Sequence, residues 1–202
     1  MGRKSNAKKK RRSQPARKPR RRIGSGTAAL VGAILGIAGL LWLGSRGGTE
    51  ALATGEPAPE FTLPSTGGGA VSIEDLRGGN VLLYFNEGAG CGSCFTQLVE
   101  LERHSGHLGE LDITLVPISP NPLETTVAEA ARYGVRTPFL IDDTLEVASA
   151  YDTLGTGHHG GLPGHSFILL DDQGRYRWRG DYPGMWVSPE ELLSRTRASL
   201  AT

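Results

Sequence analysis

The chain has 202 residues, 38% of them hydrophobic, with 29 Gly, 12 Pro and 2 Cys. That suffices for one folded domain plus an appendage, and two cysteines exclude a disulfide-framework mini-protein and a Cys-only zinc site. The formal net charge of +1 hides two halves: 12 of the 22 Lys and Arg fall in residues 1–22, which hold no acid, so residues 23–202 carry the other 10 against all 21 Asp and Glu.

Residues 1–22 offer almost nothing apolar to bury and are expected to be a disordered basic tail. A nucleic-acid arm is one reading of such a run, but the next segment argues against it. Residues 23–45 are uncharged and bounded by Arg22 and Arg46. At about 1.5 Å per residue they reach roughly 34 Å as a helix, against a bilayer core of about 30 Å. A transmembrane helix is therefore expected there. The Lys and Arg excess before it places the N-terminus in the cytoplasm and the acidic body outside. The tail is then free to bind anionic lipid on the inner leaflet. Ala51-Leu52-Ala53 matches a signal-peptidase site, but the apolar stretch exceeds a signal core, so an uncleaved single-pass anchor in the cell membrane is favoured.

Residues 46–59 are a Gly/Pro-rich linker, and residues 60–202 form the body. Ala70 to Ile73 is a short strand. Val81-Leu82-Leu83-Tyr84-Phe85 is a continuous apolar run of the buried-strand type. A Gly-rich turn then delivers Cys91-Gly92-Ser93-Cys94 to the start of a helix that runs to about His104. Ile113 to Ile118 is a strand, Leu123 to Tyr133 a helix ended by Gly134, Phe139 to Ile141 a strand, and Leu145 to Tyr151 a short helix. Ser166 to Leu170 and Tyr176 to Trp178 are strands joined by the turn Asp171 to Gly174, and Pro189 to Ala201 is a helix with Ser188 as its N-cap. The order is βαβαβαββα, which implies an α/β fold with a parallel core sheet and an antiparallel edge.

Cys91 and Cys94 carry the chemistry. A helix N-terminus presents free N–H groups and a partial positive charge, which favour thiolate over thiol at Cys91. Cys94 lies about one turn in, placed to resolve a mixed disulfide formed on Cys91. A disulfide between such near neighbours closes a tiny loop and stabilises little, so a plain structural bridge is the lesser reading. Gly92 and Ser93 are expected to let a partner's backbone come close.

These residues resemble the thioredoxin-fold redoxins of the alkyl hydroperoxide reductase/thiol-specific antioxidant (peroxiredoxin-like) family and its membrane-tethered thiol–disulfide oxidoreductases. The resemblance spans about Gly55 to Leu200 and rests on Gly55-Glu56-Pro57-Ala58-Pro59-Glu60-Phe61-Thr62-Leu63, on Val71 to Gly78, on the strand before Cys91, on Tyr133 to Asp142 and on Phe167 to Gly174. It implies a thioredoxin-like fold, a central mixed sheet flanked by helices. Peroxidase members carry Pro and Thr seven and three residues before the reactive cysteine, where Tyr84 and Gly88 stand here. Thiol–disulfide members carry Trp before the first cysteine, where Gly90 stands. The family's cis-proline facing the cysteines has Pro163 as its candidate, although counting back from Asp171 puts His165 in its place; either the loop is longer or His165 has replaced the proline.

His158, His159 and His165 precede the fourth strand of the core on a loop expected to face Cys91, suited to proton transfer or, with two thiolates, to copper(I) or zinc. Exported copper-delivery redoxins are similar, but their cysteines are one residue further apart. Solvated loop positions for His158 and His159, and a hydrogen-bonded structural role for His165, are the plainer alternatives. Glu87 is expected as a surface acid, though a carboxylate there could accept the proton of Cys94. Trp178, Tyr182 and Trp186 are expected to pack at the sheet edge rather than rim a binding site. The reading is a membrane-anchored thiol–disulfide oxidoreductase with Cys91 attacking, Cys94 resolving, and Gly92, Ser93, Pro163 and His165 contacting the client. Its partners are a disulfide or dithiol client protein and a thiol system that resets it, with no organic cofactor. A thiol peroxidase, or a copper-binding protein using Cys91, Cys94 and His165, are the alternatives.

Overall fold

The computed structural model describes residues 53–201, so the basic tail, the apolar span, residues 46–52 of the linker and the bond-by-bond question of cleavage near Ala53 lie wholly or partly outside the described residues. Among the described residues no helix is long and apolar enough to cross a membrane.

Among the described residues there are seven strands: β1 (Thr62–Pro64), β2 (Ala70–Ser72), β3 (Asn80–Phe85), β4 (Ile113–Ser119), β5 (Leu140–Ile141), β6 (Ser166–Leu170) and β7 (Tyr176–Asp181). Five α-helices accompany them in the described residues: α1 (Gly92–Arg103), α2 (Ser105–Gly109), α3 (Leu123–Tyr133), α4 (Glu146–Ala150) and α5 (Pro189–Leu200). The small β1–β2 hairpin stands apart from a five-stranded sheet ordered β5-β4-β3-β6-β7. β3, β4 and β5 are parallel, while β6 runs antiparallel to β3 and β7 antiparallel to β6. Antiparallel pairing thus begins at the centre of the sheet and not only at its rim. The βαβ crossovers after β3 and β4 account for the parallel half, and the turn at Asp171–Gly174 for the other. That turn is closed by Asp171 Oδ1, which accepts from the N–H groups of Gln173 (3.0 Å) and Arg175 (2.8 Å).

β3 is buried on both sides, which explains its unbroken apolar run. Val81, Leu83 and Phe85 point into one core with Ile168 and Leu170 of β6, the β1–β2 hairpin and Tyr151 after α4. Leu82 and Tyr84 point the opposite way, with Phe167 and Leu169, into a core closed by α1, α2 and α5. α1 supplies Phe95, Leu98 and Leu101 to it, spaced for one helical face. α3 ends at Gly134, whose φ of 74° favours glycine. α5 begins at Ser188, whose hydroxyl accepts from the N–H of Glu191 at 3.2 Å, with Pro189 in the first turn. The β1 strand, the 3-10 turn at Glu74–Leu76 and α2 were not expected from the sequence, because each is too short to carry a periodicity.

Candidate active site

β3 ends beneath the N-terminus of α1, and the five residues after Phe85 turn the chain back into that helix. Asn86 fixes the turn. Its Nδ2–H donates to the Ile118 carbonyl (3.0 Å), and its Oδ1 accepts from the N–H of Gly88 (2.9 Å). Asn121, after β4, accepts from the N–H of Ala89 at 2.6 Å. Gly88 has φ +75°, and a Cβ there would run into the Asn121 side chain, so glycine is required at this position.

Cys91 is the N-cap of α1, as expected, and it is joined to Cys94 by a disulfide with the Cα atoms 5.3 Å apart. Cys91 is half-buried and Cys94 is 1% exposed. The outer sulfur is therefore the one a partner can reach. Cys91 Sγ accepts from the N–H of Cys94 at 3.3 Å and from the hydroxyl of Ser93 at 3.4 Å. The sulfur carries no proton in the disulfide, so the hydroxyl is the donor. Ser93 is exposed and touches the reactive sulfur itself, which gives it a part the sequence reading did not assign. Gly92 is less open than expected: the space of a side chain is filled by Tyr133, whose Oη would lie 2.9 Å from a Cβ.

Below Cys94 runs a buried polar chain. The hydroxyl of Tyr84 lies 3.4 Å from the Cys94 carbonyl and 2.9 Å from His165 Nδ1. His165 Nε2 lies 3.2 Å from Gln97 Oε1, which also accepts from the N–H of Val187 at 2.9 Å. Tyr84, Gln97 and His165 are all 0% exposed. A neutral imidazole fits both its nitrogens, with Nε2–H donating to Gln97 and Nδ1 accepting from Tyr84, whose single proton is shared between Nδ1 at 2.9 Å and the Cys94 carbonyl at 3.4 Å. Burial pushes His165 down to about 4, opposed by the charge of Glu87, so it is neutral over the physiological range. Burial, with the same Glu87 charge, holds the Tyr84 phenol well above its ordinary value.

His165 is thus a core residue and presents no surface to a client. Pro163 is buried as well, bridged to Leu154, and no peptide bond among the described residues is cis. The expected binding strip of Pro163 and His165 beside the cysteines is not formed by exposed side chains. His165 does not join the cysteines as a third ligand either: both its nitrogens are engaged, and among the described residues no group of three or more His, Cys, Asp or Glu is arranged to hold a metal ion.

Glu87 corrects the sequence reading most clearly, because it is not a surface acid. Its side chain is 4% exposed, and its carboxylate accepts from the N–H groups of His158 (2.5 Å) and His159 (3.1 Å) and meets His159 Nδ1 at 2.7 Å. Burial alone would raise this carboxyl, but the His159 side chain and the two N–H donors outweigh it and hold the group below its usual range. The exposed imidazoles of His158 and His159 therefore ride on a loop pinned by Glu87, four residues before Cys91. A Cβ at Gly157 would strike that carboxylate and crowd Gly164, so both glycines serve the close approach. Trp178 and Tyr182 pack against the core as expected, whereas Trp186 is 43% exposed.

The comparisons with known proteins bear on this geometry. The family model described as "AhpC/TSA family" matches residues 54–179, more than half of the chain. The chain belongs to the AhpC/TSA family. A putative peroxiredoxin, Rv2521 of Mycobacterium tuberculosis, is 33% identical over 107 residues, covering 53% of this chain and 68% of the relative. The thiol–disulfide oxidoreductase ResA of Bacillus subtilis is 26% identical over 136 residues, covering 67% and 75%. The crystal structure of Enterococcus faecalis AhpC superposes with a TM-score of 0.66 at 21% identity, covering 74% of this chain and 93% of that one, and shows the shared thioredoxin-like fold. With relatives that are thiol–disulfide oxidoreductases and peroxiredoxins, the chain is an oxidoreductase.

Tyr84, Gln97, Asn86, Asn121 and Tyr133 are the site residues that sequence reasoning missed. Tyr84 had a signal: a hydroxyl inside a fully apolar strand must find a buried partner.

Proposed function

We propose that the protein is a membrane-anchored, extracytoplasmic thiol–disulfide oxidoreductase, with Cys91 as the attacking and Cys94 as the resolving sulfur. The observation that carries the reading is the disulfide at the start of α1, with its outer sulfur reachable and its inner sulfur buried. In the reductive direction the Cys91 thiolate attacks one sulfur of a client disulfide. The Cys91–client bond forms, the client S–S bond breaks, and the client's other sulfur leaves as a thiolate and takes up a proton. Cys94 then gives up its proton and attacks Cys91 Sγ, so that the client's remaining sulfur leaves with the electron pair and the site is left oxidised. An external dithiol resets it. The N–H of Cys94 and the hydroxyl of Ser93 already point at Cys91 Sγ, and both favour a negative charge on that sulfur.

The uncharged residues 23–45, with the basic residues before them, support the anchor and the export of the body. Proteinase treatment of intact and of lysed cells tests the topology: a body digested only after lysis sinks the extracytoplasmic placement. Insulin reduction with dithiothreitol as the resetting dithiol tests the chemistry. Wild-type protein is expected to precipitate the insulin B chain, and Cys91→Ser to lose the activity. Turnover of hydrogen peroxide without insulin reduction would instead select the peroxidase reading.

A further inference from the structure

The side chain missing at Gly92 is replaced from another part of the chain. Tyr133 is the last residue of α3, which packs on α1. Its ring is stacked on Phe95 of α1, centroids 5.2 Å apart and planes 15° from parallel. The guanidinium carbon of Arg132 lies 5.5 Å from the ring centre. Held this way, the phenol reaches the first turn of α1 and sets its Oη where a Gly92 side chain would begin, 2.9 Å from an ideal Cβ. The ring and ion contacts are the interactions Tyr133 makes, and among the described residues its hydroxyl has no hydrogen-bond partner. A hydroxyl with a free donor and a free acceptor thus stands at the residue next to the reachable sulfur.

We propose that Tyr133 is a specificity-determining residue of the redox site, its hydroxyl hydrogen-bonding the main chain of a polypeptide joined to Cys91 through a mixed disulfide. A polypeptide attached at Cys91 must lie over Gly92 or run away from it. Over Gly92 it meets the Tyr133 hydroxyl, which can donate to a carbonyl or accept from an N–H beside the client cysteine. Ser93 Oγ is not free for this, because it already donates to Cys91 Sγ. Gly92 is then needed for Tyr133 rather than for an open approach. A disulfide without a peptide backbone has nothing for this hydroxyl to hold.

The inference rests on the exchange reading above, and the test separates the two. The full-length protein is assayed on insulin and on an aromatic disulfide that has no peptide backbone. Tyr133→Phe keeps the ring stack and removes only the hydroxyl. It is expected to raise KM for insulin and to lower the ratio of kcat/KM between insulin and the aromatic disulfide about tenfold, the effect of one lost hydrogen bond. A merely structural role would lower both substrates together and leave the ratio alone. Gly92→Ala pushes the hydroxyl aside and is expected to lower the same ratio, with no further fall in the double variant Gly92→Ala/Tyr133→Phe, since both act on one atom. An unchanged ratio in Tyr133→Phe, or additive losses in the double variant, overturns the inference and leaves exchange standing. Wild type inert toward insulin sinks the exchange reading and this inference with it.

Discussion

Tyr84 and Phe85 are neighbours on β3, and they look into opposite sides of the sheet. Phe85 enters the core beneath α4, 5.4 Å from the Tyr151 ring, where the side chains from β3 and β4 are aliphatic or aromatic and the one buried hydroxyl of β6, Ser166, is turned to Thr156 and Asp181 at the edge, away from the cysteines. Tyr84 enters the core beneath α1, stacks on Phe167 at 4.4 Å, and sends its hydroxyl to His165 and toward the Cys94 carbonyl. Polar groups buried without partners are costly, so a core gains nothing by including them. Here they are threaded along the strand positions that lie under the cysteine helix, and they end one turn beyond Cys94 at Gln97. One side of the sheet supplies cohesion, and the other trades some of it for groups that contact the redox site.

The largest expected effect comes from the cohesive side. Phe85→Ala removes a fully buried ring and should cost about 3–5 kcal/mol in denaturant unfolding. A loss under about 1 kcal/mol would mean that this core refills the cavity and is not the rigid side of the pair. The polar side should instead show itself in the pH dependence. Burial lowers the His165 imidazole to about 4 in the fold, against an ordinary value of 6.5. Above pH 6.5 both folded and unfolded chains carry a neutral imidazole, and the group contributes no slope. Between 6.5 and 4 the unfolded chain takes up the proton and the fold does not, so stability falls as pH falls, by on the order of 3 kcal/mol at pH 4. His165→Gln should flatten that interval in urea unfolding measured across pH. A slope that survives the substitution belongs to another group.

Glu87 acts in a lower window with the same sign. Its folded value lies below the usual 4.5, so the stability it brings is present above about 4.5 and is lost as pH falls through the depressed value. Glu87→Gln keeps the shape but removes the charge, and the N–H groups of His158 and His159 then donate to a neutral amide oxygen in place of a carboxylate. About 1–2 kcal/mol should be lost at neutral pH, together with faster amide exchange at His158 and His159. Unchanged exchange there would mean that the loop is held by its glycines and not by the carboxylate.

These effects divide along the line between what was legible in the sequence and what was not. The strand–turn–helix around Cys91, the bounds of α3 at Leu123 and Tyr133, and the strand at Ser166–Leu170 follow from local signals: apolar runs, a cap, a helix-ending glycine. The polar chain and the pinned loop have no local signal. Tyr84 and His165 are 81 residues apart, and Glu87 and His159 are 72 apart. Glu87, between Asn86 and Gly88, carries every mark of a solvated turn until the 158–159 segment folds over it. A hydrogen-bonded structural role is one of the readings His165 allows from sequence, beside client contact and metal ligation, but its complete burial is not visible from the Gly-rich stretch before it. Trp186 failed in the other direction: its neighbours Met185 and Val187 take the core positions and leave the indole outside.

The smallest expected effect tests whether the polar side is tied to the redox state at all. Tyr84→Phe keeps the stack on Phe167 and deletes one hydroxyl, leaving His165 Nδ1 without its donor, for a cost of about 1 kcal/mol. That cost has two values, one for the disulfide form and one for the dithiol form. In the first, Cys91 and Cys94 are tied by a bond, and the contact from Tyr84 to the Cys94 carbonyl adds little to the order of the turn. In the second, the turn keeps only its hydrogen bonds, and the contact should matter more. The substitution should therefore destabilise the reduced protein more than the oxidised one, and so make the pair harder to reduce. If the unfolded chain's disulfide is indifferent to residue 84, the difference between the two costs must equal the shift in reduction potential, with about 30 mV for every 1.4 kcal/mol. Urea unfolding of both forms and glutathione equilibration of the folded protein measure the two sides of that equality independently. Equal costs in both forms, with no shift in potential, would make the Tyr84–His165–Gln97 chain a structural counterpart of the apolar side and remove the distinction between them.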